Sequence, residues 1–168
     1  MVDFLRTFVF MSAMVIALSA LAEDLPQPTG PVILEFSGNI SKTNGDGKAS
    51  FDRQMLVDLG MFEIKTHTPW HKDVVRFEGP KGRTILELLD VKEGELMVRA
   101  LNDYVAKVPV EDFYKTDAIF ALKSDGEFMG VRQKGPVFVI YPYDDYPALR
   151  NDAYYARSVW QVKAVKVD

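Results

Sequence analysis

Hydrophobic and polar residues alternate in short runs along most of the chain, and the period of each run assigns it to strand or helix. Val32, Leu34 and Phe36 fall on one face of a β-rich run over 32–37. Phe62 and Ile64 alternate with Glu63 and Lys65, and Val75 and Phe77 with Arg76 and Glu78. Both read as half-buried strands, the second ended by Gly79-Pro80. The runs 96–101 and 105–110 flank Asn102-Asp103-Tyr104 as the arms of a hairpin. Runs 119–122 and 137–141 are apolar throughout and short enough to be buried strands. The stretch 158–167 is a last β-rich segment, with Trp160 and Val162 facing one way and Trp160 assigned to the core. Just before it, Tyr155 and Arg157 alternate with Ala156 and Ser158, which reads as a strand edge.

Helical signals are fewer. Asp52 can cap a short helix that carries Met55, Leu56 and Leu59 and stops at Gly60. Thr84-Ile85-Leu86-Glu87 forms a capping box that opens a helix with Leu88 and Leu89 inside. Asn44-Gly45-Asp46-Gly47 and the run 123–126 read as turns. Many strands, a few short helices and no βαβ rhythm predict an α+β domain on a mixed or antiparallel sheet. That domain occupies 32–168 as a single unit, and the proline-rich 23–31 is an extended lead-in.

Residues 1–22 are set apart from the fold. Arg6 supplies a positive start, 7–21 is apolar apart from Thr7, Ser12 and Ser19, and Ala20-Leu21-Ala22 offers a small-x-small cleavage site. This is the pattern of a secretory signal peptide, so the mature chain is expected to be exported.

Composition narrows the chemistry. A hydrophobic share of 48% and a charged share of 26% are those of an ordinary globular protein, and 168 residues suffice for one core. The net charge of −4 gives no general attraction to nucleic acid or anionic lipid. Cysteine is absent, which removes thiolate nucleophiles, CxxC redox pairs and thiolate metal ligands together. His67 and His71 are four apart, but Pro69 between them forbids a regular helix and no third ligand is near in sequence, so no metal site is expected. The Asn44–Gly47 turn lacks the acidic first and twelfth positions of a calcium loop, where Lys42 and Arg53 stand. GxSxG is missing, Asp144-Asp145 sits in a proline-flanked run that reads as a solvated loop, and no catalytic residue is assigned.

Four segments carry a family likeness. The first is Thr66-His67-Thr68-Pro69-Trp70, followed by Phe77-Glu78-Gly79-Pro80 and the helix with Leu86, Leu88 and Leu89. The second is Ala100-Leu101-Asn102-Asp103-Tyr104, followed by Pro109; the third is Lys134-Gly135-Pro136-Val137, leading through Ile140 to Pro142. The fourth is Tyr155-Ala156-Arg157-Ser158-Val159-Trp160. In this order, over about 32–167, they resemble the molybdopterin-binding domain of the sulfite oxidase family. The resemblance implies that family's fold, a mixed β-sheet with a barrel-like core and short helices. It is closer still to small exported members that act as periplasmic pterin-binding partners of membrane receptors controlling cyclic-di-GMP turnover. A reduced pterin as ligand and the periplasmic domain of such a sensor as partner are what it implies here.

One departure matters. Family oxidoreductases place a cysteine thiolate on molybdenum after an early strand, and the comparable region 64–70 offers Thr66, His67 and Thr68 instead. A hydroxyl is a hard ligand and does not replace a soft thiolate, so no molybdenum and no redox turnover are expected. The alternative reading is a periplasmic molybdopterin-dependent oxidoreductase with an unusual ligand.

A pterin needs an aromatic face or guanidinium to stack on and fixed hydrogen-bond partners for its amino-pyrimidinone edge. Trp70, in a loop after Pro69, is the expected stacking residue; Asp103 and Asn102 are expected at the polar edge. Arg132, Lys134 and Arg157 are positioned to hold side-chain hydroxyls or a phosphate. Thr68, Tyr104, Tyr155 and Ser158 complete the expected binding set. By residue chemistry alone, Trp70 also suits a cap on the core, and Asn102-Asp103 a plain turn. A third reading is a partner-binding scaffold that uses exposed aromatics at Tyr141, Tyr143, Tyr146 and Tyr154.

Overall fold

The structure is a computed structural model that describes residues 25–168. The leader expected over 1–22 lies outside them. Strands β1 (Val32–Gly38) and β2 (Ala49–Asp52) form the antiparallel start of the larger sheet. Strands β5 (Glu95–Ala100) and β6 (Val105–Pro109) form the expected hairpin. Between these pairs lies β11 (Val162–Val167), antiparallel to β5 and parallel to β1, which gives the order β2-β1-β11-β5-β6. A second sheet runs β3-β4-β8-β9, from Phe62–Thr66, Val75–Gly79, Lys123–Ser124 and Glu127–Phe128. Strands β7 (Ile119–Ala121) and β10 (Phe138–Ile140) pair separately and are buried throughout, as their unbroken apolar runs require.

The domain is therefore α+β with mixed sheet. It is not a barrel: among the described residues no ladder closes, so the expected barrel-like core is corrected to three open sheets. The physical reason lies around β4 and its neighbours. Gly79-Pro80 ends the ladder of β4, because proline has no amide hydrogen to donate. Single bonds, from the amide of Leu122 to Glu78 O (2.8 Å) and of Phe120 to Pro80 O (3.0 Å), then stitch β7 to β4 without extending a ladder.

Two apolar clusters result. The larger contains Leu34, Phe36, Phe51, Phe113 and Phe120, with Phe113 stacked on Phe120 at 5.3 Å between centroids and 8° between planes. The smaller contains Ile64, Phe77, Ile119, Phe138 and Ile140, and both tryptophans of the chain, Trp70 and Trp160, pack on it half-buried.

The helices are α1 (Arg53–Asp58), α2 (Gly82–Leu88), α3 (Val110–Thr116) and α4 (Asp152–Arg157). Helix α2 begins before the expected capping box, with Lys81 at its N-cap and Thr84 inside it. Its start is set by packing: Gly82 lies so close to Phe113 that a Cβ there would stand 2.0 Å from the ring. Residues 155–157 are helical rather than a strand edge. Asn151 Oδ1 accepts the amides of Ala153 and Tyr154 and starts a helix that two alternating side chains could not reveal. Trp160 precedes β11, and Gln161 at φ +54° breaks the alternation that would have set it beside Val162. Phe62 is exposed, under the Lys81 ammonium at 4.0 Å, rather than buried beside Ile64.

Asp52 caps α1 as expected and does more. Its carboxylate accepts the amides of Met55 (2.9 Å), Thr29 (2.8 Å) and Gly30 (2.8 Å), tying 29–30 to the helix start. The Met55 and Gly30 amides hold this carboxyl below its ordinary 3.8, against the opposing effect of burial. A depressed folded value means that the stabilisation is fully present above the unfolded value and is lost as the pH falls through the folded one. Asp52→Asn is therefore expected to lower the urea midpoint at neutral pH and to flatten the acid limb below about pH 4. Unfolding of both proteins across that limb checks this, and parallel curves would refute it.

Candidate functional site

The hairpin turn after β5, the loop after β3, the end of α4 and the lead-in to β11 enclose a cavity of about 280 Å³. This is close to the lower limit of ~300–1,000 Å³ for small-molecule clefts. Its walls are aromatic: Trp70, Tyr104, Tyr155 and Trp160, with Asn102 and Ser158 as polar points.

Trp70 is the floor. Its ring stands 6.0 Å from Tyr155 and 5.7 Å from Trp160, at 78° to each, so two rings rise edge-to-face from the indole. Beneath it Phe138 supports the indole at 5.6 Å. Local hydrogen bonding sets its direction. Thr68 Oγ1 accepts the Trp70 amide at 3.4 Å and lies 2.7 Å from His71 Nδ1, which folds 68–71 into a tight turn. Burial, with Lys134 nearby, holds the His71 imidazole below its ordinary 6.5.

Across the cavity, Asn102 Oδ1 accepts the Tyr104 amide (3.1 Å), leaving the Asn102 amide nitrogen with no protein partner among the described residues. Tyr104 in turn donates its hydroxyl to Ala156 O at 3.1 Å, strapping the hairpin to α4. Asp112 on α3 anchors α4 from behind: its Oδ2 takes the Tyr141 hydroxyl and Arg157 Nη1, both at 2.9 Å. Tyr143 pairs with Ser158 Oγ at 2.5 Å. Burial pushes both the Tyr141 and Tyr143 hydroxyls well up, so they stay neutral donors.

Five of the ten residues expected from the sequence therefore line one cavity: Trp70, Asn102, Tyr104, Tyr155 and Ser158. Thr68 stands behind Trp70 as its support. Lys134 sits at the edge, its ammonium 4.7 Å from the Trp160 ring centroid. The other three are not in the lining. Asp103, at φ +65° in the turn, points to Lys163 Nζ (2.9 Å), whose hydrogen bond and charge hold its carboxyl below the ordinary 3.8. Arg157 is taken by Asp112, and Arg132 is exposed in a single 3₁₀ turn over Val131–Gln133.

Trp160, expected in the core, packs on the smaller cluster and is also a cavity wall; no local period distinguishes the two. Tyr141 and Tyr143 are 0% and 1% exposed, so neither offers a face to a partner: their hydroxyls are turned inward to Asp112 and Ser158. Asp144 is not simply solvated. It accepts His67 Nδ1 (2.9 Å), the His67 amide (3.1 Å) and the Arg150 guanidinium, clamping the start of the Trp70 loop to 141–150. Burial works to raise its carboxyl, and these hydrogen bonds outweigh it and leave it below 3.8. Sequence carries no signal for this clamp, whose partners are 77 residues apart.

The fold and site together define an α+β domain with an aromatic-walled cleft. No family model matches the chain, and the search of curated proteins likewise returned no match.

Proposed function

We propose that this chain is an exported binding protein for a reduced pterin, of the sulfite oxidase-type molybdopterin-binding family. In this reading it works in the periplasm and relays ligand occupancy to the periplasmic domain of a membrane receptor that controls cyclic-di-GMP turnover. The observation that carries the ligand assignment is the three-ring box. A flat bicyclic ring entering the cavity can stack on the Trp70 indole and meet the rings of Tyr155 and Trp160, each at 78° to it. The amide donors of Asn102 are free to meet acceptors on the pyrimidinone edge. The residues present favour binding over molybdenum redox chemistry. The chain has no thiolate for molybdenum, and both buried hydroxyls in the matching segment are committed: Thr66 Oγ1 accepts the Asp144 amide and donates to His67 O, and Thr68 Oγ1 accepts the Trp70 amide and pairs with His71 Nδ1. Molybdenum does not fit that donor set.

Titration of the purified protein with a fluorescent pterin tests the proposal. Binding at micromolar or tighter affinity is expected. Trp70→Ala removes the floor, and since a stacked base–aromatic contact is worth ~1–3 kcal/mol, affinity should fall about 10- to 100-fold. Absence of binding by both fluorescence and calorimetry would sink it.

A further inference from the structure

A second cleft, sharing no lining residue with the aromatic cavity, lies between the 29–33 segment, the start of α1 and strand β9. Pro31, Ile33 and Phe128 give it apolar walls, and Arg53 and Gln54 its polar side. Phe128 is 42% exposed there, so its ring is open to an incoming group. Two cations converge on its ring: the Arg53 guanidinium and the Lys123 ammonium each lie 4.7 Å from the centroid. Register explains the lysine, since Lys123 on β8 is directly opposite Phe128 on β9 and shares its face of the sheet. Glu127 alternates to the other face.

Neither cation has an ion-pair partner among the described residues, in a chain where most other lysines and arginines do. Resting on one ring, the two like charges lie within about one Debye length, ~10 Å, of each other and repel. Asp52 also lines the cleft, but it is 2% exposed and turned to the amides of Thr29, Gly30 and Met55. An incoming carboxylate would relieve the repulsion, and a guanidinium stacked on a ring is preorganised to receive one.

We propose that this cleft is the docking surface for an acidic polypeptide segment of a partner protein, one that carries an apolar side chain beside its carboxylates. The apolar side chain packs on Phe128 and the walls of Pro31 and Ile33, while the carboxylates bridge Arg53 and Lys123. On a chain of net charge −4, two neighbouring cations with no carboxylate partner also orient the encounter with an acidic segment. The proposal is independent of what fills the aromatic cavity.

A fluorescein-labelled octapeptide with two glutamates flanking a leucine, titrated by anisotropy in low salt, is the probe. The same peptide with glutamines is the control, and amide shifts in NMR report the location. Binding is expected to weaken as salt rises and to shift amides in 29–33, 53–54 and 123–128. The double variant R53E/K123E should reduce affinity at least tenfold, with its thermal midpoint checking that it folds, and Arg53→Gln alone should give a smaller loss. Equal binding of the glutamine peptide, shifts elsewhere, no binding, or binding unchanged in R53E/K123E would overturn the proposal. So would a protein that ignores the peptide and binds vesicles of anionic phospholipid instead.

Discussion

Gly79→Ala is expected to destabilise the domain by about 3 kcal/mol or more, the upper end of what overpacking costs. Gly79 ends β4 where β7 crosses it, and a Cβ there would lie 2.1 Å from Phe120 O and 2.7 Å from Ala121 Cα. Both are backbone atoms of a strand buried on every side, so no rotamer change relieves the clash. The strands must separate, which breaks the bonds from Leu122 to Glu78 and from Phe120 to Pro80. Both apolar clusters meet at this crossing, Phe120 in one and Phe77 with Ile119 in the other. Chemical denaturation of the variant measures the loss. A change below about 1 kcal/mol would mean that β4 and β7 are not in contact as described. Gly82→Ala makes a useful comparison, because its Cβ meets the Phe113 side chain, which can yield, and its cost should be smaller.

Asp112→Ala is expected to cost about 2–4 kcal/mol and, on the proposed function, to weaken pterin binding as well. Removing one partner of a buried pair costs roughly 3–5 kcal/mol when the other charge is fully buried. The Arg157 side chain is 27% exposed and can turn to water, which lowers that figure. The Tyr141 hydroxyl cannot: it is fully buried, with Asp112 as its only partner among the described residues, so its full desolvation penalty is felt. Released at its C-terminal end, α4 would no longer hold Tyr155 and Ser158 at the cavity wall. A double-mutant cycle of Asp112→Ala with Arg157→Ala, read by denaturation, separates the two contributions. Additive losses would show that the pair is not coupled. An affinity unchanged in Asp112→Ala would show that α4 does not depend on it.

The two variants probe different kinds of information. Local features were legible along the chain wherever neighbours in sequence are also neighbours in space. The alternation of Val75 and Phe77 with charged residues identified β4, the Asn102-Asp103 turn identified the β5–β6 hairpin, and Asp52 capped the helix it precedes. Where a local pattern was too short, it misled. Two alternating positions around Tyr155 suggested a strand, and Thr84 to Glu87 suggested a helix start that the packing of Gly82 against Phe113 had moved upstream.

The candidate site was legible in part for the same reason. Trp70 behind Pro69 and the Asn102–Tyr104 turn are loop residues whose presentation is a local matter, and both line the cleft. Asp103 and Arg157 misled because a charged side chain goes to the nearest opposite charge in space. Lys163 is 60 residues from Asp103 and Asp112 is 45 from Arg157, and nothing in the chain announces either pairing.

The sequence by itself determined the strand-rich α+β class and the absence of any thiolate ligand for a metal, since side-chain period and residue chemistry are properties of the chain alone. Only the tertiary structure decided that β1 and β11 pair in parallel, that the sheets stay open, and that aromatic rings from two segments far apart in sequence box a cavity. Those outcomes depend on contacts between distant residues. Their geometry is set by how whole layers pack against one another, and a one-dimensional pattern does not encode it.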